Sequence, residues 1–243
     1  MTEWAARRFW TEATAVESDE GHAVVLDGRP LRTPARVPLV LPSRLLAEAV
    51  AREWQDQPET IDPRAMPLTR AANSAIDRVA PARAAVIAML ADYGETDLLC
   101  YRAEAPATLA ERQGAAWDPM LDWAAEALGA RLVCGAGVMH VAQPEGSLRA
   151  LRAAIEPLDA FELTGLNDLV TLSGSLILGL AVARGADAPQ RLWELSRIDE
   201  TWQAEQWGED AEAAAAAEDR RRSFLRAARF VALARGQQAP LDF

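Results

Sequence analysis

The side chains of this sequence best placed to do chemistry are the acids around Glu205. Leu192, Leu195, Ile198 and Trp202 recur at three- and four-residue spacing, and the next step along that stripe falls on Glu205, within E-Q-W-G at positions 205–208. A carboxylate that continues an apolar face beside Trp202 and Trp207 is partly desolvated, so it either pairs with an arginine of its own chain or awaits a cation from outside. Asp199, Glu200 and Glu205 together would suffice for an acid and a base. Other catalytic chemistry finds little support. His22 and His140 each stand alone, with no cysteine or carboxylate at metal-ligand spacing, and Ser173 and Ser175 lack a Gly-x-Ser-x-Gly elbow. The sequence contains no lysine, and all 25 basic residues are arginines. A Walker-type phosphate loop, a Schiff-base nucleophile and a Ser-x-x-Lys site are thereby excluded. Gly135-x-Gly137 has neither a third glycine nor a following helix start, so no dinucleotide site, cofactor or metal is expected.

The elements that would hold these groups are legible in outline. Alternation from Trp10 to Val16, the run Ala23 to Leu26, an Asp27-Gly28 turn and Leu31 to Thr33 predict a small antiparallel sheet, with Pro30, Pro34 and Pro38 confining their strands to edges. Ser43 is placed to cap a helix carrying Leu46, Val50 and Trp54. After a Pro-rich connector at Asp62-Pro63 and Met66-Pro67, a second helix has Leu68, Ala72, Ala75, Ile76 and Val79 on its buried face and Thr69, Asn73 and Asp77 on a polar one. Trp54, Met66 and that polar face read either as a recognition surface or as ordinary helix packing.

Beyond this point the chain is alanine-rich and helical. Asp118-Pro119 predicts a helix start, Arg131 to Cys134 a short strand, and Leu169 to Val182 one buried helix, too short to span a bilayer, whose small residues admit close neighbours. The fold class is therefore α+β: an N-terminal β-containing domain over 1–62 and a larger, mainly helical domain over 63–243.

A formal net charge of −11 repels nucleic acid and anionic lipid. Arg220-Arg221-Arg222 follows Glu218 and Asp219 on a predicted helix and reads as helix electrostatics. The N-terminus, with Glu3 ahead of Arg7 and Arg8, has no apolar run, and the two cysteines, Cys100 and Cys134, have no paired spacing. A reducing, cytoplasmic location is expected, with no targeting segment and no bridge between those thiols.

Several blocks carry a family resemblance: R-R-F-W at the start, L-D-G-R-P-L-R-T-P from Leu26, L-P-S-R-L-L-A from Leu41, E-W-Q-D-Q from Glu53, M-P-L-T-R from Met66, T-D-L-L-C-Y-R from Thr96, and E-Q-W-G at Glu205. In this order they resemble the assembly chaperone of the F-type ATP synthase catalytic head, known in mitochondria as ATP synthase assembly factor 2. The resemblance implies a bacterial member without enzymatic activity. Such a protein binds the unassembled alpha subunit and prevents its aggregation until the beta subunit replaces it. Eukaryotic relatives would act in the mitochondrial matrix.

The resemblance also implies an essential late acid, Glu205 by position, with Glu200 and Glu209 as the other registers. At Ala213 to Ala217 the chain is less polar than the family tends to be, and no contact role is expected of that stretch. A chaperone that keeps its surface free is expected to be a monomer. Two other readings stay open: an enzyme using Asp199, Glu200 and Glu205, and a passive structural subunit of an acidic complex.

Overall fold

The computed structural model describes residues 7–238; Glu3 and its neighbours, on which the targeting expectation rested, lie outside the described residues. The chain forms two compact units. One contains the chain up to Arg83, Asp159–Gly165 and the chain from Arg229 onward; the other contains Ala84–Leu158 and Leu166–Ala228. The division does not fall at 62/63, because the helix after the connector buries its apolar face with the sheet, and later segments return to complete the same core.

In the first unit, strands β1 (Ala13–Ser18) and β2 (Gly21–Leu26) are antiparallel, with Ala13 opposite Leu26 and Ser18 opposite Gly21. Both β3 (Arg29–Pro30) and β4 (Val40–Leu41) pair with β2. Asp27 and Gly28 form the expected turn with φ of 47° and 79°, the positive pair a primed two-residue hairpin needs. The Asp27 carboxylate accepts from the backbone N–H groups of Glu12 and Thr11, at 2.9 and 3.0 Å, and these donors hold its pKa below the usual range. Because Thr11 and Glu12 serve that turn, the strand begins at Ala13 rather than Trp10. The Leu31 to Thr33 run is reduced to a bridge between Arg32 and Pro38.

Helix α1 (Arg44–Gln55) is capped by Ser43, whose Oγ accepts from Leu46 N–H at 3.0 Å. Helix α2 (Pro67–Ser74) continues into a wider turn at Ala75–Val79. Val24, Leu39, Leu41, Leu46, Val50, Leu68 and Ala72 form the core with Phe230 and Leu233.

The second unit is helical. Helix α3 (Arg83–Asp92) leads to the short pair β5 (Tyr101–Arg102) and β6 (Gly135–Ala136), which run parallel. The expected strand over 131–134 is thus displaced onto the glycine segment. Helix α4 (Ala107–Ala127) passes straight through Pro119 instead of starting there. Proline removes one backbone donor, but Gln113, Trp117, Met120 and Ala124 keep one buried stripe on both sides of it, and that packing outweighs the lost bond.

Helix α5 (Glu145–Ile155) precedes α6 (Ala160–Ser173) and α7 (Leu176–Arg184), which replace the single expected helix. Gly174, at φ 74°, ends α6, and Ser175 caps α7 through Leu178 N–H. Gly179 is the small residue that acts as expected. A Cβ on Gly179 would stand 2.7 Å from Val170 Cγ2, so α7 approaches α6 as closely as a glycine permits. Helices α8 (Pro189–Leu195), α9 (Ile198–Trp207) and α10 (Ala211–Ala234) complete the chain.

Candidate partner-binding site

The stripe that sequence periodicity carries from Leu192 to Glu205 is interrupted at Ser196-Arg197, so Glu205 lies on α9 while Leu192 and Leu195 belong to α8. Ile198 anchors α9 in the second unit, Trp202 is half-buried, and Trp207 at the helix end is 80% exposed. Gly208, at φ 90°, turns the chain, and Asp210 starts α10 by accepting from Glu212 and Ala213 N–H at 2.9 and 2.8 Å. α9 and the first turns of α10 therefore flank a groove of about 600 Å³. Its apolar lining comes from Trp193, Ile198, Ala204 and Ala213, and Glu200 and Glu209 supply acids. Ala213, Ala214 and Ala217, of which no contact was expected, line this groove. Their small side chains leave the volume open.

The acids divide by what they already hold. Glu205 receives two hydrogen bonds from the Arg112 guanidinium, at 2.6 and 3.0 Å, and these bonds lower its pKa. Glu200 pairs with Arg197 at 2.8 Å, and that guanidinium also lies 5.0 Å from the Trp193 ring centroid. Asp199 accepts from Gln113 Nε2 at 2.6 Å. Glu209 has no hydrogen bond or ion pair among the described residues.

The other sequence candidates belong to the first unit and face inward. Met66 is 3% and Thr69 5% exposed, and Asn73 and Asp77 are half-buried, so the expected polar face of α2 is largely covered. Thr69 donates its hydroxyl to Glu53 at 2.7 Å, Asp77 accepts from Ala35 N–H at 3.1 Å, and half-buried Trp54 meets Trp10 edge-on with centroids 5.1 Å apart. Sequence reasoning also passed over two carboxylates that organise the fold, Glu53 and Asp97. Asp97 is fully buried. It accepts from Leu99 N–H (3.0 Å), Ser175 Oγ (2.8 Å) and Ile177 N–H (3.0 Å), and burial raises its pKa to about 6. The local sign was available, an aspartate two residues before an amide it can cap; its distant partners Ser175 and Ile177 were not.

In the second unit a tryptophan and a groove lined by both apolar and charged side chains lie open to solvent. The model of the ATP12 chaperone protein family matches residues 7–125. The crystal structure of Atp12 from Paracoccus denitrificans is 54% identical, with a TM-score of 0.92, covering 96% of this chain and 100% of that one. An aspartate-to-lysine mutant of P. denitrificans Atp12p superposes with a TM-score of 0.93 at the same identity and the same coverage of both chains. Mitochondrial protein atp12 of Schizosaccharomyces pombe is 26% identical over 220 residues, 84% of this chain and 75% of that protein. The chain belongs to the ATP12 chaperone family, the assembly chaperones of ATP synthase.

Proposed function

We propose that this protein binds the unassembled alpha subunit of the F-type ATP synthase catalytic head and keeps it from aggregating until the beta subunit takes its place. A subunit made for a ring exposes large apolar interface patches that associate wrongly without their neighbour, and a partner must cover them reversibly. The observation that carries the reading is Trp207: a tryptophan left 80% exposed, two residues from Glu209, an acid with no partner among the described residues, at the end of the helix that borders the groove. Such an aromatic anchor beside an exposed charge suits an interface that is apolar at its centre and oriented by complementary charge.

The proposed contact residues are Trp207, Glu209, Glu200, Trp202 and Glu205. Met66, Thr69, Asn73, Asp77 and Trp54 are assigned to the fold of the first unit. The internal partners of Asp199, Glu200 and Glu205 favour binding over acid–base chemistry, and we infer a protein that performs no covalent step. Among the described residues no helix is long and apolar enough to cross a membrane, and we place the protein in the bacterial cytoplasm as a monomer when free.

Coexpression with the cognate alpha subunit tests this. Soluble alpha that coelutes with the chaperone, and is released when beta is added, supports it. Alpha that stays equally insoluble, with no coeluting complex, overturns it.

A further inference from the structure

Cys100 and Cys134 are the two cysteines of the chain, and nothing in their spacing joins them. The fold does. In the parallel pair β5·β6, Tyr101 stands opposite Gly135 and Arg102 opposite Ala136; Cys100, the end of a tight turn over Leu98–Cys100, and Cys134 are the residues immediately before that pair. Paired strands lie about 4.8 Å apart, so two residues that each directly precede such a pair start close to the roughly 4.4–6.8 Å separation of Cα atoms that a disulfide bridges without backbone movement. A side-chain contact supports the same placement: Cys134 Sγ is 3.9 Å from the carbonyl oxygen of Leu99, the residue next to Cys100. The thiols are also close enough for the charge of Cys134 to act on Cys100, and Arg102 acts on both. Cys100 is fully buried, whereas Cys134 is exposed. Burial pushes the Cys100 thiol up to about 12 and also raises that of Cys134, so both rest as protonated thiols.

We propose that Cys100 and Cys134 are a redox pair that closes to an intramolecular disulfide by exchange with a low-molecular-weight disulfide such as oxidised glutathione. Exposed Cys134 loses its proton and attacks one glutathione sulfur, forming a mixed disulfide and expelling a thiolate that takes up a proton. Cys100 then loses its proton and attacks the Cys134 sulfur. The Cys134–glutathione bond breaks, and the second glutathione leaves as a thiol. Two protein thiols and one external disulfide become one protein disulfide and two external thiols. Closure adds a covalent tie between β5 and the start of the segment that carries Val138, 97% exposed, and Met139, 76% exposed, beside the bond from Gly137 N–H to the Arg102 carbonyl at 2.8 Å.

The test treats the full chain with excess oxidised glutathione at neutral pH, then measures intact mass and maps non-reduced peptides. The expected product has lost two hydrogen atoms and joins the peptides of Cys100 and Cys134. Amide hydrogen exchange over 135–139 slows in that product and recovers with dithiothreitol. Cys100→Ser stops at a glutathione adduct on Cys134, and Cys134→Ser takes up no glutathione. The peptide map of the unsubstituted chain decides the matter even if Cys100→Ser folds poorly. A persistent adduct on Cys134, dimers linked through Cys134, or an unreacted dithiol would each overturn the proposal.

Discussion

Glu53 caps α2 from α1: its carboxylate accepts from the backbone N–H of Thr69 at 2.8 Å and its hydroxyl at 2.7 Å, and from Leu68 N–H at 2.7 Å. The first turn of a helix leaves such amides without partners, and a negative charge there also opposes the positive end of the helix dipole. Burial raises the Glu53 pKa against these bonds, so the acid is held in place at a desolvation cost. Glu53→Ala strands buried donors and should lower stability by about 2 kcal/mol. Urea unfolding of the two proteins checks this, and an unchanged midpoint would remove Glu53 as a structural cap.

Asp97 gives stability a definite pH dependence. Its folded carboxyl holds a proton up to about pH 6, against an ordinary value of 3.8. A group whose pKa rises on folding contributes most below its unfolded value and loses that contribution as pH climbs through the folded one. At roughly 1.4 kcal/mol per pKa unit, about 3 kcal/mol should disappear between about pH 4 and about pH 6, with no further change from this group above. Denaturation of the wild type and Asp97→Asn across this range isolates the effect. A stability difference that stays flat with pH contradicts it.

Glu205→Lys should leave the fold intact and weaken the alpha-subunit complex. Both Glu205 and Arg112 are substantially exposed, where solvent screens an ion pair, so loss of their pair should leave the melting curve nearly unchanged. Charge reversal at the margin of the groove should weaken binding on the order of tenfold. Calorimetric titration alongside a melting curve separates the two effects, and unchanged affinity would take Glu205 out of the interface.

Trp207→Ala probes the exposed anchor. Little of this side chain is buried in the free protein, so the melting temperature should hold. A central aromatic anchor contributes about 2 kcal/mol to a complex, about a thirtyfold loss of affinity on truncation. Equal affinity for both proteins would exclude Trp207 as the anchor.

What was legible in the sequence was what a few adjacent residues decide. Asp27-Gly28 specifies its turn because the backbone angles are local, and Ser43 caps α1 because an N-cap acts on amides two or three residues away. Pro119 misled because its local cost is outweighed by a stripe of buried residues along the whole of α4. Gly174 was read as a packing residue within a helix, although its positive φ breaks the helix there. Of the two readings of the region around Trp54, ordinary packing fits Glu53, which serves Leu68 and Thr69, and Gln57, which accepts from Asp62 N–H at 2.8 Å. The polarity of these side chains was visible; their inward direction depends on residues brought up by the rest of the fold. Periodicity found the acids of α9, but the groove beside them exists only because Gly208 turns α10 back alongside.

The core of the first unit joins Val24, Leu41, Leu46 and Val50 to Phe230 and Leu233, and Ser43 Oγ donates to the carbonyl of Leu233. Synthesis proceeds from the other direction. The sheet and α1 leave the ribosome long before the last turns of α10 exist, so those four side chains must wait uncovered while most of the polypeptide is translated. During its own birth the protein therefore passes through the predicament that its proposed client faces, an apolar face whose proper neighbour has yet to arrive.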